Sequence, residues 1–203
     1  MKFPIAMLAC LMALALPARA QQDLGPEELV RKVTQDVLDA IRSDKQLAAG
    51  DKQKALKLAE EKVLPLIDFE EAARLAVGRA WAQATPEQRK KLVEEFRKML
   101  VRTYSNAISA YEGQTMQVLP VRMKPGDTEV TVHNRYIRAG GTPLPVDYQM
   151  HKTDQGWKIY DITVEGVSLV LTYRSEFDAV VKQSGIDGLI KRLEEKNTPA
   201  KLG

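Results

Sequence analysis

Residues 156–181 read GWKIYDITVEGVSLVLTYRSEFDAVV, and this stretch decides how the chain folds. Residues 157–164 are rich in the aromatic and β-branched side chains that fit a pleated sheet. Apolar residues then recur at helical spacing, from Val170 to Val180. Because only Glu165 and Gly166 separate the two patterns, we predict a strand that leads directly into a helix. The strand is apolar on both faces, so both faces must be shielded from water. Part of that shielding can come from an apolar ligand rather than from protein.

Residues 1–20 have the features of a cleaved secretory signal peptide. A short positive head precedes an apolar run, and Ala18-Arg19-Ala20 supplies a small-x-small cleavage site. The apolar run is too short to cross a bilayer. We therefore expect residues 21–203 to form a single domain. Cys10 is the only cysteine, so the mature chain would depend on its hydrophobic core rather than on disulfides.

The charge of the mature chain is close to neutral, which argues against nucleic-acid binding. The full sequence has 30 Lys and Arg against 27 Asp and Glu. Removal of the first 20 residues takes away Lys2 and Arg19, which leaves 28 basic and 27 acidic residues. Tight binding to nucleic acid needs a strongly basic surface. No nucleic-acid partner is expected.

The hydrophobic periodicity predicts helices, then strands, then helices. Helical spacing covers residues 26–43, 51–64, 69–77 and 86–111, and a capping box is predicted at Asp68 with Glu71 and another at Thr85 with Gln88. A period of two follows in residues 116–122, 129–137, 146–151 and 157–164, and helices are predicted over 168–183 and 186–196. This order predicts an α+β fold, in which a small, twisted antiparallel sheet of about four strands has several helices on one face and encloses an apolar cavity.

Ser168 and the two histidines offer little support for catalysis or metal binding. Ser168 lies between a strand and a helix, as a nucleophile elbow would, but Val170 stands where the second glycine belongs. His133 and His151 both precede the serine and lie on the polar sides of their strands, with no third ligand at metal-like spacing. We interpret Ser168 as a helix cap and expect no metal site.

Two polar side chains keep alternative interpretations open. Asp161 lies among apolar neighbours, where a carboxylate can act as a base or can make structural hydrogen bonds. Arg174 follows Tyr173 on the apolar stripe of the last helical segment, where it can hold a phosphate at a cavity mouth or pair with a nearby acid such as Glu176.

Several motifs together resemble one family. They are WKIYD at 157–161, VEGVSL at 164–169, YRSEF at 173–177, PLIDF at 65–69, GRAW at 78–81 and TPEQR at 85–89. In this order they resemble the periplasmic phospholipid-binding proteins of the Mla lipid-transport system, the MlaC or toluene-tolerance Ttg2D-like family. The resemblance implies a periplasmic carrier without covalent chemistry and without a cofactor, whose bound ligand is a phospholipid. It also implies exchange between an outer-membrane lipoprotein–porin complex and an inner-membrane ABC transporter with an MCE-domain component, which maintains outer-membrane lipid asymmetry.

We predict that the sheet and the segments 86–111 and 168–183 supply the cavity wall of a monomeric carrier. The candidate lipid-binding residues are Phe96, Leu100, Tyr104, Tyr111, Val132, Tyr136, Tyr148, Ile159, Tyr173, Arg174 and Phe177. Two alternative functions remain open: a small cone-shaped α+β enzyme with Asp161 as its base, and a periplasmic adaptor that binds proteins through its charged helices.

Overall fold

Helices come before and after an antiparallel sheet, as the hydrophobic periods predict. The computed structural model describes residues 24–109, 115–137 and 140–198. The helices in these ranges are α1 (Pro26–Ser43), α2 (Lys45–Ala48), α3 (Lys52–Lys62), α4 (Phe69–Val77), α5 (Pro86–Ser109) and α6 (Arg174–Asn197). The strands are β1 (Thr115–Val118), β2 (Glu129–Ile137), β3 (Leu144–Thr153), β4 (Gly156–Val164) and β5 (Val167–Ser168). Short 3₁₀ turns occupy Leu64–Leu66, Gly78–Gln83 and Leu171–Tyr173.

The predicted signal segment and the predicted end of the long helix at residue 111 lie outside the described residues. Within the described part of the chain, no helix is both long enough and apolar enough to span a membrane.

The predicted caps begin two of the helices. Thr85 Oγ1 accepts from the N–H of Gln88 at 3.2 Å, while the Gln88 side chain accepts from the N–H of Thr85 at 3.0 Å, so this capping box is confirmed. Asp68 accepts from the N–H of Glu71 at 2.9 Å at the start of α4. The reciprocal half of that box is absent, because the N–H of Asp68 donates to the carbonyl of Ile159. This bond attaches the start of α4 to the sheet.

The described sheet has one strand more than predicted, in the order β1-β2-β3-β4-β5, and every neighbouring pair is antiparallel. Glu165 and Gly166 have φ of 50° and 82°, as in a two-residue type I′ hairpin turn. The chain therefore turns back along β4 as β5 and does not pass directly into a helix. β1 is shorter than predicted, because Pro120 has no N–H to continue the ladder beyond Leu119.

The sheet has one apolar and one polar face. Val132, Tyr148 and Ile162 are aligned across β2, β3 and β4 on the apolar face. On the other face His133 pairs with Asp147, which agrees with the predicted polar side of β2. The register shifts between Gln149 and Met150, which leaves an extra residue on β4 and forms a β-bulge.

Two separate clusters of buried residues hold the fold together. The first, here called the sheet core, packs α1 against the apolar face and contains Leu29, Val30, Val33, Leu66, Val118, Val132, Met150, Trp157 and Ile159. The second, here called the helical core, lies among α4, α5 and α6 and includes Ala72, Ala76, Trp81, Leu92, Phe96, Met99, Val170, Phe177, Leu189 and Leu193.

The two predicted last helices are one continuous element with a break. The α6 helix begins at Arg174 rather than at residue 168, because β5 and a 3₁₀ turn occupy the preceding residues. Gly185 has φ 70° and ψ −174°, which interrupts the helical geometry at the position where the sequence predicted a boundary. Leu189 and Leu193 beyond the break are buried in the helical core.

Candidate functional site

An apolar cavity of about 150 Å³ lies between α1 and the sheet. Helix α1 lines it with Leu29, Val30, Val33, Thr34, Val37 and Leu38. The sheet lines it with Met116, Tyr136, Tyr148, Met150, Ile159 and Ile162, and the chain between α3 and α4 adds Val63, Leu66 and Ile67. The wall is almost entirely hydrocarbon, so the space suits an apolar ligand.

Two larger depressions in the described structure have more charged walls. One, of about 1,140 Å³, lies between α3 and α5 and is bordered by Arg89, Arg97 and Lys98 among others. The other, of about 580 Å³, lies near Asp68, Asp154 and Lys158. Apolar residues such as Leu56, Val93 and Val101 also border the first of these, but charged side chains alternate with them. The lining of the cavity under α1 contains no charged residue, so we take that cavity as the candidate site.

The first turn of α1 is tied to the chain that follows β1. The N–H of Val121 donates to Glu27 Oε2 at 2.9 Å, and this hydrogen bond, together with the neighbouring Arg31 guanidinium, lowers the pKa of the Glu27 carboxyl. Arg31 also donates to the carbonyl of Val118 at 3.3 Å. These polar contacts lie at one end of α1, whereas Val37 and Leu38 toward its other end contact the cavity only through apolar groups.

Two polar side chains on the apolar face of the sheet are poorly satisfied. The Tyr148 hydroxyl donates to Met116 Sδ at 3.8 Å, and burial followed by the nearby Tyr136 raises the pKa of Tyr148. Asn134 is 1% exposed, and its Nδ2 donates to the carbonyl of Val132 at 2.9 Å. Asn134 Oδ1 has no hydrogen-bond partner among the described residues.

The structure brings only some of the predicted lipid-binding residues to this cavity. Tyr136, Tyr148 and Ile159 line it, and Val132 lies buried beside them in the sheet core. Tyr111 lies outside the described residues. Lipid contact by these side chains stays a prediction.

The other predicted residues lie in or beside the helical core. Phe96 contacts Tyr173 and Phe177 edge to face at 5.5 Å between ring centroids in each case, and Leu100 packs against the same cluster. Burial, followed by a hydrogen bond with Tyr173, raises the pKa of Tyr104 to about 12. The Arg174 guanidinium lies against Gly78, where a Cβ would come within 3.1 Å of Nε.

Helix α1 therefore supplies the helical wall of this cavity, and no described side chain of the segments 86–104 and 168–183 lines it. The spacing of Leu29, Val33 and Val37 predicted a buried face on α1. That spacing does not identify the surface against which the apolar face of α1 packs. The contributions of Met116, Met150 and Ile162 were missed because several strand faces were apolar enough to be the lining.

Asp161 has the contacts of a structural carboxylate. It is 7% exposed, and its oxygens accept from the Ser168 hydroxyl at 2.5 Å and from the N–H groups of Ile162 and Val170 at 2.8 and 3.2 Å. Ser168 Oγ in turn accepts from the N–H of Leu171 at 2.8 Å. Ser168 thus caps the 3₁₀ turn that precedes α6, rather than α6 itself.

The histidines make separate pairs with acidic side chains. His151 Nε2 lies 2.9 Å from Asp68, and His133 Nδ1 lies 3.0 Å from Asp147. The described residues contain no group of three or more His, Cys, Asp or Glu placed to hold a metal ion.

The MlaC protein family model matches residues 31–195. The chain belongs to the MlaC family. It is 21% identical over 188 residues to the intermembrane phospholipid transport system binding protein MlaC of Haemophilus influenzae, covering 91% of this chain and 88% of the relative. It is 23% identical over 163 residues to the toluene tolerance protein ttg2D of Pseudomonas putida, covering 80% of this chain and 75% of the relative.

A solved MlaC-like structure shares the fold. The phospholipid-binding protein from Ralstonia solanacearum, determined in complex with a phospholipid, is 36% identical and superposes with a TM-score of 0.74 over 89% of this chain and 96% of that one. The predicted family and the predicted α+β fold are both confirmed.

Proposed function

We propose that this protein is a periplasmic carrier that binds the acyl chains of a glycerophospholipid between α1 and the sheet. The observation that carries the proposal is the apolar cavity under α1, on a fold whose relative from Ralstonia solanacearum was determined with a phospholipid. The name of the Haemophilus influenzae relative, a phospholipid transport system binding protein, supports a role in phospholipid transport.

The physical demand on such a carrier is enclosure of the chains. Burial of apolar carbon is worth about 0.8 kcal/mol per methylene, so two long chains cost on the order of 20 kcal/mol when exposed to water. A shallow surface groove leaves much of that cost in place. A space between two apolar layers removes it, which is the arrangement of α1 over the sheet.

Binding two acyl chains requires the cavity to widen. Its volume of about 150 Å³ is below the ~300–1,000 Å³ of pockets that enclose drug-sized ligands. Helix α1 is the movable wall, because the helical core shares no buried residue with it. Loading therefore separates α1 from the sheet, most easily near Val37 and Leu38, where its contacts with the cavity are apolar.

Membership of the MlaC family supports a proposal for the cellular role. A single-domain carrier that is exported by the segment 1–20 receives lipid at one membrane and delivers it at the other. Its partners are an outer-membrane lipoprotein–porin complex and an inner-membrane ABC transporter with an MCE-domain component, and its effect is to maintain outer-membrane lipid asymmetry. It acts as a monomer, without a cofactor and without catalysis.

Solvent extraction of the purified protein tests the proposal. Mass spectrometry of the extract should find phospholipid at close to one molecule per protein. Absence of phospholipid from protein purified without detergent would overturn the carrier function. An enzyme that uses Asp161 would instead turn over a substrate and lose that turnover in Asp161→Asn, and a protein-binding adaptor would contain no lipid.

A further inference from the structure

The wall of the cavity contains a hydroxyl group that has only a weak acceptor. Tyr148 stands on β3, and its hydroxyl lies 3.8 Å from Met116 Sδ on β1, although β2 separates those strands. The ring of Tyr148 therefore crosses over β2 on the apolar face. A thioether sulfur is a poor acceptor, so the O–H donates to a contact worth much less than a hydrogen bond to oxygen.

Asn134 lies on the strand that the Tyr148 ring crosses. It faces Val118 on β1 and Val146 on β3, on the same side of the sheet as the cavity. Its Oδ1 is buried without a partner among the described residues. A buried polar group without a hydrogen bond costs about 1–3 kcal/mol, so an apolar face with two poorly satisfied polar groups needs an explanation.

We propose that Tyr148 donates a hydrogen bond to an ester carbonyl of the bound lipid, so that the cavity distinguishes acyl-ester lipids from lipids without that carbonyl. This inference rests on the proposed function, because it concerns the ligand of the same cavity. Both Tyr148 and its present acceptor Met116 line the cavity, so a lipid that enters meets the hydroxyl directly.

The chemistry of the lipid fits this position. An ester carbonyl joins each acyl chain to glycerol, so it lies where hydrocarbon gives way to the polar part of the molecule. Replacement of Met116 Sδ by a carbonyl oxygen as acceptor gives Tyr148 a normal hydrogen bond. Asn134 is not among the residues that line the cavity, so the inference rests on the Tyr148 hydroxyl.

The position of the hydroxyl should affect which lipid is preferred more than how tightly lipids bind in general. An apolar cavity binds any long chain, and hydrophobic burial alone does not distinguish an ester from an ether. A hydroxyl that the ligand buries with only the Met116 sulfur or an ether oxygen as its acceptor penalises the lipid that lacks a carbonyl. The net value of one such hydrogen bond corresponds to a preference of about threefold to tenfold.

A competition between two lipids tests the inference. The purified protein is incubated with vesicles that contain equal amounts of dihexadecanoyl phosphatidylglycerol and its dihexadecyl ether analogue. The protein is then separated from the vesicles, and the bound lipids are quantified by mass spectrometry. Wild-type protein should hold the diester in about threefold to tenfold excess. In Tyr148→Phe the ratio should fall to about one.

The matched control is Tyr160→Phe, which removes a tyrosine hydroxyl from the same sheet but outside the cavity lining, where the ring contacts His151, and should keep the wild-type ratio. A wild-type ratio near one overturns the inference while the carrier function stands, and this reading does not depend on how well any variant folds. A preference that survives in Tyr148→Phe, or that is lost equally in Tyr160→Phe, also overturns it. If neither lipid is taken up, the proposed function itself fails.

Discussion

Glu27 in the first turn of α1 accepts a hydrogen bond from the backbone N–H of Val121 at 2.9 Å. Helix α1 thereby has a polar attachment at the end where the sheet core begins. The cavity extends along α1 from Leu29 to Leu38, and five of the six lining residues that α1 supplies are aliphatic. The opposite end of α1 is held as well, by buried Ile41 and by the ion pair between Asp44 and Lys54 of α3, so movement that admits a lipid should be greatest along the aliphatic stretch between the two ends.

The Glu27 attachment should make stability depend on pH. Its pKa is lowered from the ordinary value of 4.5 in the folded protein, first by the Val121 N–H and then by Arg31. A lowered folded-state pKa adds stability above the unfolded value, and that stability is lost as the pH falls through the folded value. The unfolding temperature of Glu27→Gln should therefore be lower than that of wild type at neutral pH. The difference between the two temperatures should shrink below pH 4.5.

Glu28→Gln is the matched control, since Glu28 is the exposed neighbour in the same turn. It should change the unfolding temperature less. An equal and equally pH-dependent effect in the two variants would mean that helix charge, rather than the bond to Val121, is responsible.

Filling the cavity should displace the lipid. Val37→Trp adds a large ring to a half-buried wall position, where α1 has no polar attachment. We expect the extracted phospholipid to fall at least fivefold, with the far-ultraviolet circular dichroism unchanged, as an order-of-magnitude consequence of losing most of the free volume. The control Val167→Trp places the same ring on the exposed β4–β5 hairpin, where the side chain is 58% exposed. Equal loading in Val37→Trp and wild type would locate the acyl chains elsewhere.

Gly78 should not tolerate alanine. Its φ of 65° with ψ of −134° is strained for any residue with a side chain, and an added Cβ would lie 3.1 Å from Arg174 Nε. Backbone strain of this kind costs roughly 1–3 kcal/mol in the free energy of unfolding, which urea denaturation measures. The double variant Gly78→Ala with Arg174→Ala should recover only the part of the lost unfolding free energy that comes from the close approach of the new Cβ to the Arg174 guanidinium. Full recovery would show that the backbone conformation itself costs nothing.

The carboxylate of Asp161 should matter for stability and not for loading. It accepts three hydrogen bonds, and the two from Ser168 and Val170 hold β5 and the following turn against β4. In Asp161→Asn one oxygen becomes an N–H₂ group that faces donors, which we expect to cost about 1–3 kcal/mol in urea unfolding. Ser168→Ala removes one of the three bonds together with the bond from the Leu171 N–H to Ser168 Oγ, and should cost about 2 kcal/mol at about 1 kcal/mol per bond. Unchanged stability with loss of a chemical turnover would instead support the enzyme alternative.

Local rules predicted the helices better than the sheet. Capping residues such as Thr85 and Gln88 determine a helix start within a few residues of sequence, and the structure contains that start. β5 was missed because its turn places a glutamate, Glu165, at positive φ, where Asn or Asp is the usual signal. The two residues of β5 are also too few to show a period of two.

The candidate site was predicted only in part, for a different physical reason. An apolar stripe shows that a helix buries one face, but it does not identify the partner surface. Phe96, Tyr173 and Phe177 satisfy the same pattern as the α1 residues, and they pack against one another rather than along the cavity. Which apolar faces pack together and which line a cavity depends on the strand register and on the path of α1 across the sheet, and neither can be read from the spacing of apolar residues.

The sheet core and the helical core have no buried residue in common. A carrier must open to admit a lipid without unfolding. With two separate clusters, the sheet core can open while the helical core keeps the chain folded. Backbone amides of α1 should then exchange with deuterium faster than those of Leu92 and Phe96 on α5, and the gap should widen when lipid is removed. Equal rates on the two helices would mean that the molecule opens as one unit.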